Sequence, residues 1–532
     1  METSTNKTFS TVAADASAEH LPHDMRLVVR TYRQGLGDCH LLSLISRVGH
    51  LDPQAAPSFH MMIDCGVILG TEGAREKIED VLDSIYEETG GEIDVLVVTH
   101  QHYDHVSGFL LALNRFESFE DSRRGDSDAG DGRQRIADSD YRKLLRIKEI
   151  WLAWTEDPLN EDAQRLTRQR EDSLRKLKEV VTRLNMLGMK ETVTRSKTGQ
   201  VLRFFGVNES GKSGWTTQDA MNNIRRLVSG DEHIRYLSPG EFIEPSTAPG
   251  LRFYVLGPPR DDAALRKLTA KDDVYHIATP LLKEAVGLAA RSARDDETGA
   301  GYEPFDRAWG HPLHASDGSD LGATSDFLKD RYFGPESPTE EADISWRQIE
   351  NNWLYSSEAF AMALDKATNN TSLVMAIELI ASKNKEVLLF AADAQVGSWR
   401  SWHSLEWSFA GESVTAKSLL KRLAFYKVSH HGSGNATPKQ CGVEFMNKRF
   451  VSFIPVDGAK ALDKGWGKMP LTPLVTALQE GKRVVVRTDE ELPDIEDCVL
   501  PEGSALSSGR EGKKIKGPCY YAWTVTFSSE VR

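Results

Sequence analysis

From residue 25 onward the apolar positions of the chain fall into short runs separated by turn residues. "MRLVVRTYR", "HLLSLIS" and "SFHMMIDCG" are broken by "QGLGDC" and by a proline-containing loop, and they read as consecutive strands opening a sheet. The period then changes. In "AREKIEDVLDSIYEETGG" the residues Ile78, Val81, Leu82 and Ile85 recur at helical spacing, with glycines as the stop signal. "EIDVLVVTH" returns to a buried-type strand, and a strand-like "IKEIWLAWT" precedes a long helical pattern from about Glu161 to Leu187.

"GLRFYVLGPP" predicts a further strand closed by Pro-Pro. The last third carries "TSLVMAIEL", "EVLLFAAD", "AFYKVSHHG", "RFVSFIPV", "RVVVRTDE" and "YYAWTVTF". Strands at both ends with helices between them predict a layered α/β architecture, and no internal repeat of fixed period is evident. Residues 1–24 are polar and aperiodic and are expected to form a mobile tail. The remainder, 25–532, is expected to be one domain interrupted by insertions at about 116–230 and 261–366. The first insertion begins with a Gly-, Asp-, Ser- and Arg-rich loop, and the second is polar with short helical pieces.

Composition narrows the class. With 532 residues, 40% hydrophobic and 27% charged, the chain can bury one large core or two ordinary ones. Its apolar runs stop well short of the roughly 20 residues of a membrane span, and the N-terminus shows no signal-peptide pattern, so a cytoplasmic location is expected. Cys39, Cys65, Cys441, Cys498 and Cys519 have no C-x-x-C spacing and suggest neither a disulfide scaffold nor a cysteine zinc site. The net charge of −14 disfavours an extended non-specific grip on nucleic acid. One segment runs against that sign: Glu161–Arg203 holds eleven Lys/Arg against six Asp/Glu, read either as a basic patch or as a solvated helix face.

The chemistry is concentrated in "VVTHQHYDHVSG", where His100, His102, Asp104 and His105 follow a strand directly. Strand alternation puts His100 and His102 on one face, and a following turn can fold Asp104 and His105 toward a neighbouring point. Imidazole and carboxylate together suit zinc, manganese or iron. Two ions about 3.5–4 Å apart can share and activate a water and clamp an in-line displacement. Further ligands are expected at other strand ends: Asp393 in "VLLFAADAQVG", and His430 and His431 in "FYKVSHHGSGNA", whose glycines allow close backbone approach.

Taken in order, "YRQGLGDCHLLSL", "MMIDCG", "VVTHQHYDHVSG", "LSPGEFIE…GLRFYVLGPP", "NNTSLVMAIEL", "VLLFAADA", "KVSHHGSGNA" and "MPLTPLVTALQEGKRVVVRTDE" resemble the metallo-β-lactamase superfamily. Within it they are most similar to the hydrolase domain of ComEC-type competence proteins, over roughly residues 25–115, 231–260 and 366–495. The resemblance implies a four-layer αββα fold and two divalent metal ions, zinc or else manganese. His100 and His102 would hold the first, Asp104 and His105 the second, with Asp393 bridging. One of His430 and His431 would complete the second site, and the other would protonate the leaving group or bind the scissile phosphate. Asp64 would orient a ligand histidine, and Lys427, Ser433 and Asn435 would flank an anionic substrate. The sequence departs from the family in the extra spacer of "QGLGD", in "FAAD" before the aspartate, and in offering no mappable third histidine for the first metal. His233, His276, His311 and His314 are available but read as surface or core residues.

The leading functional expectation is a dinuclear metal-dependent phosphodiesterase or nuclease acting on DNA or RNA through a metal-activated water. Trp151, Trp154, Trp215, Trp309 and Trp346 are available for base stacking or for core packing. The alternatives are a hydrolase of a small phosphodiester or ester, such as a cyclic nucleotide or lactone, and a metal-binding, non-catalytic subunit whose insertions dock a protein partner.

Overall fold

In the computed structural model, which describes residues 24–47, 58–117, 143–186, 196–208, 215–266, 352–409, 411–464 and 466–527, the apolar runs pair into two large sheets. The first half supplies β1 (Asp24–Tyr32), β2 (Cys39–Arg47), β3 (Ser58–Cys65), β4 (Glu92–Val98), β5 (Arg146–Ala153), β6 (Ile234–Leu237), β7 (Phe242–Ile243) and β8 (Leu251–Gly257). The second half supplies β9 (Val374–Leu379), β10 (Val387–Phe390), β11 (Glu406–Phe409), β12 (Glu412–Thr415), β13 (Leu423–Lys427), β14 (Val451–Ile454), β15 (Val484–Arg487), β16 (Ser504–Ser508) and β17 (Tyr520–Phe527). An eight-stranded sheet runs β16-β17-β1-β2-β3-β4-β5-β6, and a seven-stranded sheet runs β15-β14-β13-β10-β9-β8-β7. The expected mixed α/β class holds.

Both sheets are mixed. β3 to β6 are parallel in the first, β10 to β15 in the second, and the remaining ladders of both are antiparallel. Side-chain alternation explains why the strands read as continuous apolar runs. Val95 and Val97 of β4 join a cluster shared with Phe253 and Val255 of β8, Met375 and Ile377 of β9 and Phe453 of β14, so this face packs sheet on sheet. Leu96 and Val98 point the other way, onto Ile78, Val81 and Leu82 of helix Ala74–Thr89 and Met221 and Ile224 of helix Thr217–Arg225. In the second sheet Val374 and Ala376 turn outward onto Trp399 and Trp402 of helix Val396–Trp402. Strands buried on both faces leave no polar alternation in the sequence.

The expected insertions are partly described. β5, inside 116–230, is a full member of the larger sheet, so that segment contributes core as well as added structure. Its helix Glu161–Met186 packs through Leu177, Val180 and Val181 against Phe360, Ala361 and Leu364 of helix Asn352–Asn369, from the second insertion. Residues 267–351, with His276, His311, His314, Trp309 and Trp346, lie outside the described residues, as do residues 1–23 of the expected tail. Among the described residues no helix is long and apolar enough to cross a membrane.

Candidate metal centre

The candidate ligands converge at the C-terminal ends of parallel strands from both sheets, where open α/β sheets place their sites. After β4 the chain bends at Gln101, is extended at His102 and then enters the helical turn Tyr103–Val106, with the His105 and Val106 amides bonded back to the His102 carbonyl. His100 and His102 thereby meet, Nε2 to Nδ1, at 3.1 Å, while Asp104 and His105 are folded toward the adjoining point. Asp393 follows β10, and the Ser429–Gly432 turn follows β13.

The donors form three groups, each with one ligand atom per residue within 4.8 Å of the others: Asp104, His105, Asp393 and His431; His100, His102 and Asp393; and Asp38, Asp64 and His105. Asp393 belongs to the first two. Its Oδ2 lies 3.3 Å from His105 Nε2, 3.8 Å from His431 Nε2 and 3.9 Å from His100 Nε2. Of the two adjacent histidines the geometry selects His431, whose Nε2 is 3.1 Å from Asp104 Oδ2 and whose Nδ1 is fixed by the Pro455 carbonyl at 2.7 Å. His430 is outside the donor groups and partly exposed. Its Nδ1 meets the Ser433 hydroxyl at 2.8 Å, and that hydroxyl donates to Asn435 Oδ1 at 2.9 Å. Ser433 and Asn435 therefore hold His430.

Outer carboxylates fix the rings. Asp64 accepts from His105 Nδ1 at 2.8 Å while also accepting the Thr99 amide and hydroxyl. Such orienting partners typically account for 10–100-fold in metal affinity or activity. Asp64→Asn is accordingly expected to weaken metal binding by about 10–100-fold, read by competition with a chromogenic chelator, while leaving the fold intact.

Two acids that the sequence did not single out also converge here. Asp38 sits in the "QGLGD" turn with its Oδ2 2.5 Å from Lys427 Nζ, and Asp365 of helix Asn352–Asn369 places its Oδ1 3.9 Å from His102 Nε2. Asp365 thus lies near His102 without a hydrogen bond to it, whereas Asp64 bonds His105 directly. The only clue to Asp38 was an acid in a glycine-rich turn. Asp365 gave none, being a polar position within an ordinary helix. His233, by contrast, is half-exposed beside Glu232 and outside the donor groups.

Three backbone segments meet to allow this. The Asp38 amide bonds to the Asp104 carbonyl at 3.0 Å, and the Gly66 amide to the Asp38 carbonyl at 3.0 Å. A Cβ on Gly66 would run into the Asp104 carbonyl and the His105 amide. Gly66→Ala is expected to destabilise the chain by about 1–3 kcal/mol and to displace Asp104, measured as a fall in both thermal midpoint and metal stoichiometry. Left-handed conformations also gather here: Asp64, Ala392, His430 and His431 have φ of 56, 46, 45 and 52°. Non-glycine residues adopt such values when the surroundings over-determine them, commonly at functional sites.

Electrostatics supply the test of whether cations fit. Asp38, Asp64, Asp104, Asp365 and Asp393 are all buried, with Lys427 as the one buried lysine among them. Burial drives the His102 imidazole down to about 3 and the His100 imidazole well below its ordinary range. Burial opposes the charge on His105 as well, but Asp393, Asp38 and Asp64 outweigh it and hold that ring well above the usual range. Burial, with Asp104 and Asp393 nearby, raises the Asp365 carboxyl to about 7. His105 Nε2, Asp104 Oδ1 and Asp393 Oδ1 are buried without a hydrogen-bond partner. Clustered buried carboxylates with orphaned donor atoms are costly unless cations compensate them, and this set of imidazoles and carboxylates suits divalent transition metals.

Compared with known proteins, the chain matches no protein-family model and no curated protein. Its functional reading rests on this geometry.

Proposed function

We propose that the chain is a dinuclear metal-dependent hydrolase of phosphodiesters, built on a four-layer αββα scaffold of the metallo-β-lactamase type. The observation that carries the reading is Asp393, one carboxylate common to two adjoining donor groups. The layering is supported by the three apolar clusters, one between the sheets and one on the outer face of each. His100 and His102 would hold one ion, Asp104, His105 and His431 the other, and Asp393 both. Two such ions, zinc or else manganese, would polarise a phosphoryl oxygen and lower the pKa of a water.

The chain's own residues supply positioning and proton traffic. Asp64 and the Pro455 carbonyl keep His105 and His431 turned inward through their Nδ1 atoms. Because the Ser433 hydroxyl donates to Asn435, it accepts from His430 Nδ1, and His430 Nε2 is left to take or release a proton beside Asn369. That ring, partly exposed at the edge of the donor groups, is suited to protonate a leaving alkoxide. Helix Asn352–Asn369 covers His102 through Asp365 and reaches His430 through Asn369, so the second insertion forms one wall of the site.

A nucleic acid strand is the first substrate class. A small phosphodiester is the second reading, favoured by one observation: four cations of helix Glu161–Met186 are already paired. Arg165 binds Asp162 and Asp262, Arg175 binds Asp172 and Glu179, Lys176 binds Asp172 and Arg170 binds Glu156, which lessens the charge on offer to a polyanion. The test is metal analysis of the purified chain, with hydrolysis of single-stranded DNA, RNA and bis(p-nitrophenyl) phosphate in zinc, manganese and magnesium, against a His102→Ala/Asp104→Ala control. Two bound ions and ester cleavage abolished in the control are expected. Metal binding without cleavage of any ester would instead favour a non-catalytic subunit, and equal activity in the control would sink the assignment.

A further inference from the structure

The four histidines of the donor groups differ in what holds the ring nitrogen that faces away from those groups. A neutral imidazole that gives one nitrogen to a cation carries its proton on the other, and that N–H needs an acceptor when buried. His105 Nδ1 has Asp64 at 2.8 Å, and His431 Nδ1 has the Pro455 carbonyl at 2.7 Å. His100 Nδ1 has the Thr99 hydroxyl at 3.2 Å, which is free to accept because its own proton goes to Asp64. His102 is the one without such a partner.

Its neighbour shows which of the two nitrogens faces inward. His102 Nδ1 stands 3.1 Å from His100 Nε2, close to the roughly 3.3 Å that separates two ligand atoms each about 2.0–2.1 Å from a tetrahedral ion. His102 Nε2 then points outward, where it is buried with no hydrogen-bond partner. Phe204 and Phe205 flank the ring, each 5.1 Å away between centroids, and their side chains bring no oxygen. The carboxylate in front of Nε2 is Asp365. Its Oδ1 lies 3.9 Å from that nitrogen and is likewise buried without a partner. An orphaned donor and an orphaned acceptor therefore face each other about 1 Å beyond hydrogen-bond length. The other oxygen of the carboxyl is already held. Asn369, one turn further along helix Asn352–Asn369 and fully buried, has its Nδ2 3.5 Å from Asp365 Oδ2 and 3.5 Å from His430 Nε2. Phe360, Ala361 and Leu364 pin the helix against helix Glu161–Met186, so Asp365 is presented from a packed element.

We propose that Asp365 is the positioning residue for His102: with a cation on Nδ1, His102 Nε2–H donates to Asp365 Oδ1, which fixes the ring and raises its basicity. Asp365 lies outside the donor groups, so it acts through His102 and does not touch the ion. The second insertion thereby sets the affinity of the first ion. This role rests on the two-ion reading above.

The test loads the full chain with cobalt(II) and compares Asp365→Leu and Asp365→Asn with the parent. Chelator competition is expected to find two ions in the parent and, in Asp365→Leu, one of them weakened by about 10–100-fold with the other within about threefold. Asp365→Asn, whose amide oxygen can still accept, is expected to lose less. Bound cobalt moves the ring N–H proton signals of its ligand histidines outside the ordinary range. Asp365→Leu should displace one of these signals, from the set lost in His102→Ala, and leave the others in place. Metal-free Asp365→Leu should unfold at no lower a urea concentration than the parent, because an apolar side chain replaces a buried carboxylate. A parent holding fewer than two ions would overturn the two-ion reading and this role with it. Two ions in the parent, bound as tightly in Asp365→Leu, would overturn this role alone. So would an equal loss at both ions, a loss in Asp365→Asn as large as in Asp365→Leu, or a lowered urea midpoint in metal-free Asp365→Leu. A cobalt absorption spectrum reporting one ligand fewer would also overturn it, by making Asp365 a ligand.

Discussion

Asp393→Asn is expected to reduce bound metal from two equivalents to one or fewer and to slow hydrolysis on the order of 10³-fold, about 4 kcal/mol of transition-state stabilisation. The substitution keeps shape and removes charge. Burial alone would push the Asp393 carboxyl up, yet His105, His431 and Lys427 outweigh it and hold it well below the ordinary range, so it is the anion that serves as the shared donor. An amide oxygen has neither the charge nor the second equivalent oxygen needed to engage two cations. The backbone around it has its own supports, with the Asp393 amide on the Ser372 hydroxyl at 3.3 Å and the His430 amide on the Ala392 carbonyl at 3.0 Å. The variant should therefore fold, which near-ultraviolet circular dichroism checks. Metal analysis and ester hydrolysis read the rest. Retention of both ions with undiminished turnover would remove Asp393 from its bridging position.

The same residue shows what was legible in the sequence. An acid directly after an apolar strand stands out because a buried charge there needs a partner, and the dense His100–His105 motif stands out for the same reason. The strands themselves were readable because most of β9 and the C-terminal halves of β4 and β5 are buried on both faces and so appear as apolar runs, "VMAI", "VLVV" and "IWLA". β16, the β11–β12 hairpin and β6 were not, being short and substantially exposed or polar. The choice between His430 and His431 depended on two successive left-handed residues in one turn, which send adjacent rings to different places. Asp365 was hidden for a different reason. Its neighbours Phe360, Ala361 and Leu364 mark a helix by their spacing, but only tertiary packing across the two insertions brings that helix to His102. Of the tryptophans considered for base stacking, Trp151 and Trp154 are core residues, which periodicity alone could not separate from exposed ones.

Lys427→Met is expected to cost about 3–5 kcal/mol, the usual penalty for removing one partner of a buried ion pair and leaving the other uncompensated. Lys427 is 1% exposed, with Nζ 2.5 Å from Asp38 Oδ2, 3.0 Å from the Ala392 carbonyl and 3.5 Å from Asp393 Oδ1. Its place at the end of β13 suggested a contact for an anionic substrate, whereas the ammonium is spent inside the protein on two carboxylates. Burial opposes its charge, but Asp38 and Asp393 more than offset that and raise it above the ordinary lysine range. Its contribution is therefore fully present at and below the unfolded lysine pKa, near 10.4, and is lost only as pH rises through the higher folded value. A cation at the metal centre would neutralise Asp393 but not Asp38, so the loss should be larger in chelator-treated protein than in metal-loaded protein. Adding Asp38→Asn removes the stranded charge and should recover most of the stability. Urea unfolding of the four combinations, with and without metal, reads both effects. If Lys427→Met were as stable as the parent, or the double variant no better than the single one, the lysine could not be the cation on which the buried carboxylates depend.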